Sequence, residues 1–226
     1  MMSPRFFKQP GERFKGNKIM DRLHFLISIF FMLMGPTKII PTFAIITRGR
    51  DRSFKHKTAM LASIFSSLIC CFIIFTANSN IHRLHITPDS IRISAGIVLL
   101  ISGLNTIFNK NPLQEFDVEN KLPFQIAVSP LATPMIVTPA AVAVIMHYAI
   151  FSATIEGMNK ALWFALSIVM LLDFLAMYLN DYIIKIPGFM PILRLVSAGL
   201  NVVQLAAGVE LIVISLTKLG LVHKVI

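Results

Sequence analysis

The sequence predicts an all-α integral membrane protein: six transmembrane helices arranged as two inverted three-helix repeats, with helices 1 and 4 broken by proline and glycine. Three observations carry that expectation. Of the 226 residues, 55% are hydrophobic and only 14% are charged, whereas a soluble domain carries roughly 25% charged residues. The charges are also unevenly spread, with long apolar runs alternating with short charge-rich stretches. A run of roughly 20 apolar residues matches the ~30 Å hydrocarbon core of a bilayer as a helix. Third, matching proline and Ser-Ala-Gly signatures occur in both halves of the chain.

Residues 1–22 form a basic tail with Arg5, Lys8, Arg13, Lys15, Lys18 and Arg22. The apolar run after it is too long for the core of a signal peptide and has no small-residue cleavage site, so it reads as a helix that stays in the membrane. The first repeat is 23–108, with spans at about 23–47, 58–77 and 91–108. A basic loop (Arg48, Arg50, Arg52, Lys55, Lys57) separates the first two spans, and a loop over 78–90 the next two. An acidic linker, 109–123, carries Glu115, Asp117 and Glu119. The second repeat is 124–226, with spans at about 124–148, 161–182 and 195–219. Pro187, Gly188 and Pro191 mark the loop between the last two spans.

Pro36-x4-Pro41 in span 1 matches Pro134-x4-Pro139 in span 4, 98 positions later. Ser94-Ala95-Gly96 in span 3, with Arg92 just before it, matches Ser197-Ala198-Gly199 in span 6, with Arg194 before it, 103 positions later. Each unit holds an odd number of spans, so the second copy lies upside down relative to the first. Inverted repeats with helices broken in matching places point to a secondary transporter.

The net charge of +10 sits mainly at the ends of apolar runs. Anionic lipid headgroups are therefore the expected partner, and no nucleic-acid motif is present. Without the tail, the basic residues divide five against nine in favour of the side holding Arg48–Lys57. By the positive-inside rule that loop is expected to face the cytoplasm. Cys70 and Cys71 are adjacent and cannot staple distant segments, so they read as small buried residues rather than a disulfide framework. His82-x2-His85 has no further ligand nearby and reads as a loop coincidence. No H-E-x-x-H, G-x-S-x-G or phosphate-loop motif occurs. No catalytic residue, metal or cofactor is expected.

A proline inside a helix removes a hydrogen bond, and in lipid the freed carbonyl must find a partner in protein or in a water-filled cavity. Gly35, Pro36 and Pro41 thus mark an opening in span 1, and Pro130, Pro134, Thr138 and Pro139 mark one in span 4. Lys38, Asp173 and Glu210 are charges deep in apolar runs, where each costs about 2.5–3.5 kcal/mol unless paired or put to use. The expectation is that Lys38 faces the interior and pairs with Glu210 or Asp173, forming a receptor for an acidic or zwitterionic solute. The alternative is a lysine that snorkels to the headgroups. Ser197, Asn201, Gln204, Gly208 and Ser215 fall on one face of span 6. They suit either a transport pathway or close helix packing through small and polar residues. Asn105 shares a face of span 3 with Ser94.

At these broken helices the chain resembles the MarC family of bacterial inner-membrane proteins, relatives of the LysE-type exporters. The family pattern Asn/Asp-Pro-x-Gly-x-x-Pro-x-Phe stands here as Gly35-Pro36-Thr37-Lys38-Ile39-Ile40-Pro41-Thr42-Phe43. Its Arg-x-Ala-Gly-Gly stands as Arg92-Ile93-Ser94-Ala95-Gly96. Its Pro-Leu-Ala-x-Pro is met in full by Pro130–Pro134, while Gly-Pro-Gly becomes Thr138-Pro139-Ala140. The resemblance implies a multi-pass bacterial inner-membrane protein and brings no settled substrate. Gly35, Lys38 and both neighbours of Pro139 depart from the family pattern. The sequence reads as a transporter or exporter of a small solute, or alternatively as a non-transporting membrane scaffold. A homo-oligomer is left open.

Overall fold

The computed structural model describes residues 18–84, 87–108, 121–152, 155 and 157–221. Most of the basic tail, most of the acidic linker, His85 and the side chain of His82 lie outside the described residues. The elements in chain order are α1 (Lys18–Met34), α2 (Pro36–Ile46), α3 (Arg52–Leu84), α4 (Pro88–Phe108), α5 (Pro123–Ile126), an irregular wide-turned segment (Ala127–Ile136), α6 (Pro139–Ser152), α7 (Met158–Tyr178), α8 (Asn180–Ile183) and α9 (Phe189–Lys218). Five helical stretches are long and apolar enough to cross a bilayer, or six if the stretch from Pro123 to Ser152 counts as one bent span.

The first span is interrupted at Gly35. Its N–H closes α1 by donating to the Phe31 carbonyl at 3.0 Å. Its own backbone is extended, at φ −78° and ψ 176°, as the residue before a proline prefers. A Cβ at Gly35 would lie 2.2 Å from the Phe31 carbonyl oxygen. Pro36 then opens α2 at the first helical position, where a missing N–H costs nothing.

The fourth span bends by 66° between Ile136 and Pro139. Before the bend, Ser129 (φ −144°, ψ 121°) and Thr133 (φ −135°, ψ 130°) are extended, and each precedes a proline, Pro130 and Pro134, in a cis peptide. After it, the Thr138 hydroxyl accepts the Ala141 N–H at 3.1 Å. Thr138 is therefore an N-cap with Pro139 as the first helical residue.

Both interrupted spans thus restart on a proline, Pro36 and Pro139, which are 103 positions apart. That is the separation of the two Ser-Ala-Gly triplets, and the Pro-x4-Pro match at 98 positions is not the one that the restarts follow. Two boundaries also differ from expectation. Helix α3 runs on to Leu84 through the expected loop start, and α9 begins at Phe189. Gly188, at φ 80°, precedes it, and Pro191 sits in the first turn, where proline is tolerated.

The bent elements lie inside. Helix α6 packs against α1, α3, α4 and α7, and α2 packs against α7 and α9. Phe30, Leu33, Phe43, Leu131, Ile136 and Ile145 have essentially no exposure. The outer faces are apolar: Phe72 (68% exposed), Phe75 (72%), Ile101 (62%) and Leu195 (74%) point away from the bundle. Hydrocarbon accepts such a surface at no cost.

Helices α4 and α9 cross where two glycines meet. A Cβ on Gly96 would lie 2.6 Å from the Gly208 carbonyl oxygen, and one on Gly208 would lie 2.9 Å from that of Gly96. The obstacle is backbone on each side, so no rotamer can yield. Gly199, which matches Gly96 in sequence, has nothing within 4 Å of its Cβ position. Gly96→Ala is therefore expected to destabilise the protein by about 1–3 kcal/mol through overpacking. Gly199→Ala is expected to be neutral or slightly stabilising, because alanine is the better helix former. Thermal unfolding of the two variants in detergent checks the contrast, and equal effects would contradict this crossing.

Candidate functional site

The buried residues of α9 are Leu193, Asn201, Gln204, Gly208 and Ser215. Four of the five polar or small positions singled out in span 6 thus form its buried face, and Ser197 is half-buried. Opposite them runs the buried stripe of α4, namely Arg92, Ala95, Gly96, Leu99 and Gly103. The close approach at Gly96 and Gly208 brings Gln204 within reach of the α4 backbone. Its amide N–H donates to the Leu99 carbonyl at 3.2 Å.

That bond fixes which way the amide points. The Gln204 Oε1 is left facing α2, where it accepts a hydrogen bond from Lys38 Nζ at 3.1 Å. Lys38 is the third residue of α2, two positions after the break. The Lys38 carbonyl accepts the Thr42 hydroxyl at 3.0 Å, one turn on and beside Pro41. The Ile40 carbonyl accepts the Asn180 side-chain N–H at 2.9 Å. Side chains thus reinforce the backbone polar groups around Pro41, as lipid requires.

A cavity of about 270 Å³ opens beside Lys38, lined by Thr37, Pro41, Thr106, Arg194, Ser197, Ala198 and Asn201 as well. It lies between α2, the end of α4 and the beginning of α9. Thr37 (7% exposed) and Asn201 (4%) are buried, and the Thr37 hydroxyl and the Asn201 side-chain oxygen have no hydrogen-bond partner among the described residues. Lys38 lies eight residues before the end of α2, ~12 Å along the axis at 1.5 Å per residue. Asn201 lies twelve residues after the start of α9, ~18 Å in. The cavity therefore reaches from one end of the bundle toward its middle.

The other expected site residues fall elsewhere. Lys38 is ion-paired with neither Glu210 nor Asp173; its hydrogen-bond partner is Gln204. Glu210 is on the exposed face of α9, off the buried stripe. Asn105 is exposed, because α4 turns the stripe through Leu99 and Gly103 inward and Asn105 away from it. Pro130 is buried and Pro134 and Pro139 are exposed, none of them lining this cavity, while Thr138 serves as a cap. Gly35 is buried at the break and Pro36 half-buried. Asp173 is 1% exposed on the inner face of α7, and neither carboxyl oxygen has a hydrogen-bond partner among the described residues.

Sequence reasoning passed over Arg194 and Thr37 as site residues. Arg194 was legible as a charge one turn inside an apolar helix, and Thr37 as a hydroxyl between two prolines. At the opposite end of the bundle, Arg92 is buried, bonded to Asp89 at 2.9 Å and laid over the Phe151 ring at 4.4 Å. His147 contacts the same ring at 4.6 Å.

A buried carboxyl with no hydrogen-bond partner costs its desolvation without return, so Asp173→Leu is expected to stabilise the protein by about 1–3 kcal/mol. Chemical or thermal unfolding of the variant in detergent measures it, and a loss of stability of that size would show that the carboxyl is satisfied in the native state.

The comparison with known proteins follows the same elements. The model of the MarC family of integral membrane proteins matches residues 20–219. A UPF0056 membrane protein from Buchnera aphidicola of Schizaphis graminum is 26% identical over 54% of this chain and 58% of its own length. The UPF0056 membrane protein YhcE of Escherichia coli K12 is 27% identical over 50% of this chain and 54% of its own. A UPF0056 membrane protein of Aquifex aeolicus is 21% identical over 81% of this chain and 83% of its own. The chain thus spans little more than half the length of the first two relatives. These names state membrane location and no substrate, and no solved structure matches the chain. With 200 consecutive residues matched by the family model, from the first span to the last, the chain belongs to the MarC family of integral membrane proteins.

Proposed function

We propose that the protein is a secondary transporter of a small solute in the bacterial inner membrane, built from two inverted three-helix halves. The observation that carries this reading is the polar cavity beside the broken first span. A helix bundle that only scaffolds has no use for a lysine and unpartnered hydroxyl and amide oxygens gathered below a rim arginine. Polar groups in a membrane interior are expensive and mark solute paths by default, and broken helices in both halves are the sequence-level pointer to a binding site.

The packing supports the two-half arrangement. Helix α1 packs on α7, and the Ala127–Ile136 segment on α3. Helix α2 packs on α7 and α9, and α6 on α3 and α4. Helices α4 and α9 pack on each other, as do α3 and α7. Exchanging the halves maps these contacts onto one another or onto themselves, as a two-fold relation predicts, while α6 on α7 and α1 on α9 have no comparable counterpart. Three spans per half make the axis lie in the membrane plane.

The two ends of the bundle differ in a way that suits alternating access. At one end the cavity is open beside Arg194. At the other, Arg92 is held by Asp89 and covered by Phe151. One end open and the other sealed is the state expected of a transporter caught facing one side.

Substituted-cysteine labelling tests the reading. In a background with Cys70 and Cys71 replaced, Ser197→Cys is expected to react with a membrane-impermeant maleimide added on the side of the Arg48–Lys57 loop. Val202→Cys, 60% exposed on the lipid-facing side of the same helix, is expected not to react, because a thiol in hydrocarbon does not ionise. If Ser197→Cys is as inert as Val202→Cys, the cavity is dry and the transport reading fails.

A further inference from the structure

Resting on the transport reading, we infer that the cavity between α2, α4 and α9 is a site for a small oxyanion, a carboxylate or phosphate group, clamped between Lys38 and Arg194. The cavity holds two cationic side chains and no carboxylate among its lining residues. The Lys38 charge at depth is costly unless an anion offsets it. Among the described residues Lys38 makes one side-chain hydrogen bond, to a neutral amide, which leaves the ammonium charge uncompensated and two of its three donor positions for a ligand. Arg194 is exposed at the rim, and its planar fork of donors is suited to the two oxygens of a carboxylate or phosphate.

The neutral lining fits the same chemistry. The Thr37 hydroxyl is buried without a partner, and a hydroxyl can turn its proton toward an oxyanion. The hydroxyl of Ser197 stands nearby in the wall, whereas that of Thr106 already donates to the Ser102 carbonyl. Thr37 and Lys38 are also the second and third residues of α2, so the positive end of that helix dipole reinforces the site. Asn201 has a buried, unpartnered side-chain oxygen, and its amide presents an N–H group to an anion only after a flip. At about 270 Å³ the space is smaller than the roughly 300–1,000 Å³ typical of drug-sized ligands. It suits an anion with a short carbon skeleton.

An oxyanion in this position has two sources, a free solute or an anionic lipid headgroup, and the test separates them. The full chain is purified into nanodiscs of phosphatidylcholine, and thermal unfolding is followed with inorganic phosphate or sodium acetate against sodium chloride at equal ionic strength. Phosphate or acetate is expected to raise the midpoint by ~3 °C at saturation. Arg194→Gln, at an exposed position that does not hold the fold together, is expected to cut that shift by at least half. Lys38→Met is expected to abolish it. If phosphatidylglycerol nanodiscs alone give the shift, lost again in Arg194→Gln, the oxyanion is a lipid headgroup. No shift with phosphate, acetate or phosphatidylglycerol, or an equal shift in Arg194→Gln, overturns the site. Water-side labelling of Ser197→Cys without anion binding would leave the transport reading standing and remove this ligand class. Anion binding without flux in proteoliposomes would leave the site and remove transport.

Discussion

A backbone amide or carbonyl within the hydrocarbon of a bilayer has no water to turn to, so an interrupted helix can sit only where protein or a hydrated cavity surrounds it. That constraint orders this bundle. The chain is broken at Gly35 and again between Ser129 and Pro139, and α2, the Ala127–Ile136 segment and α6 are the pieces that neighbouring helices enclose. The uninterrupted helices α3, α4, α7 and α9 present the apolar outer face. At the second break Thr138 caps α6, and around Pro41 side chains add bonds to helical carbonyls, Thr42 to that of Lys38 and Asn180 to that of Ile40.

The same constraint accounts for the site. Opening α2 at Gly35 and Pro36 places Lys38 near a helix start rather than mid-helix, and Gln204 of α9 receives it. Gln204 can do so because Gly96 and Gly208 let α4 and α9 approach until its amide also reaches the Leu99 carbonyl. One residue thereby joins the backbone of α4, the face of α9 and the charged side chain of α2. The cavity is what remains beside that junction, and its lining is cationic because Lys38 meets Gln204 and Arg194 lies nearly three turns earlier on α9.

Much of this was legible in the sequence. Hydropathy and the spacing of Ser197, Asn201, Gln204, Gly208 and Ser215 sufficed for the membrane class and for the inward face of α9, because helical periodicity is a local property. The helices restart on Pro36 and Pro139, 103 positions apart, whereas the sequence pairs prolines 98 positions apart. Only the backbone tells a first-turn proline from one inside an irregular stretch. Charge counting pointed to Glu210 or Asp173 as the partner of Lys38, whereas the partner is a neutral amide fixed by a glycine-dependent crossing. A single sequence does not encode that distance. Asn105 shares a periodic face with Ser94, but which face of α4 turns inward is set by α9.

The account rests on Lys38 being held inside the bundle by Gln204 rather than reaching for the headgroups. A double-mutant cycle with Lys38→Met and Gln204→Leu, read as unfolding free energy in neutral nanodiscs, tests that contact directly. A hydrogen bond from a charged group predicts a coupling of about 1.5–3 kcal/mol. Additivity within about 0.3–0.5 kcal/mol, the behaviour of sites that do not touch, would mean that Lys38 lies elsewhere and that the cavity is not built as described.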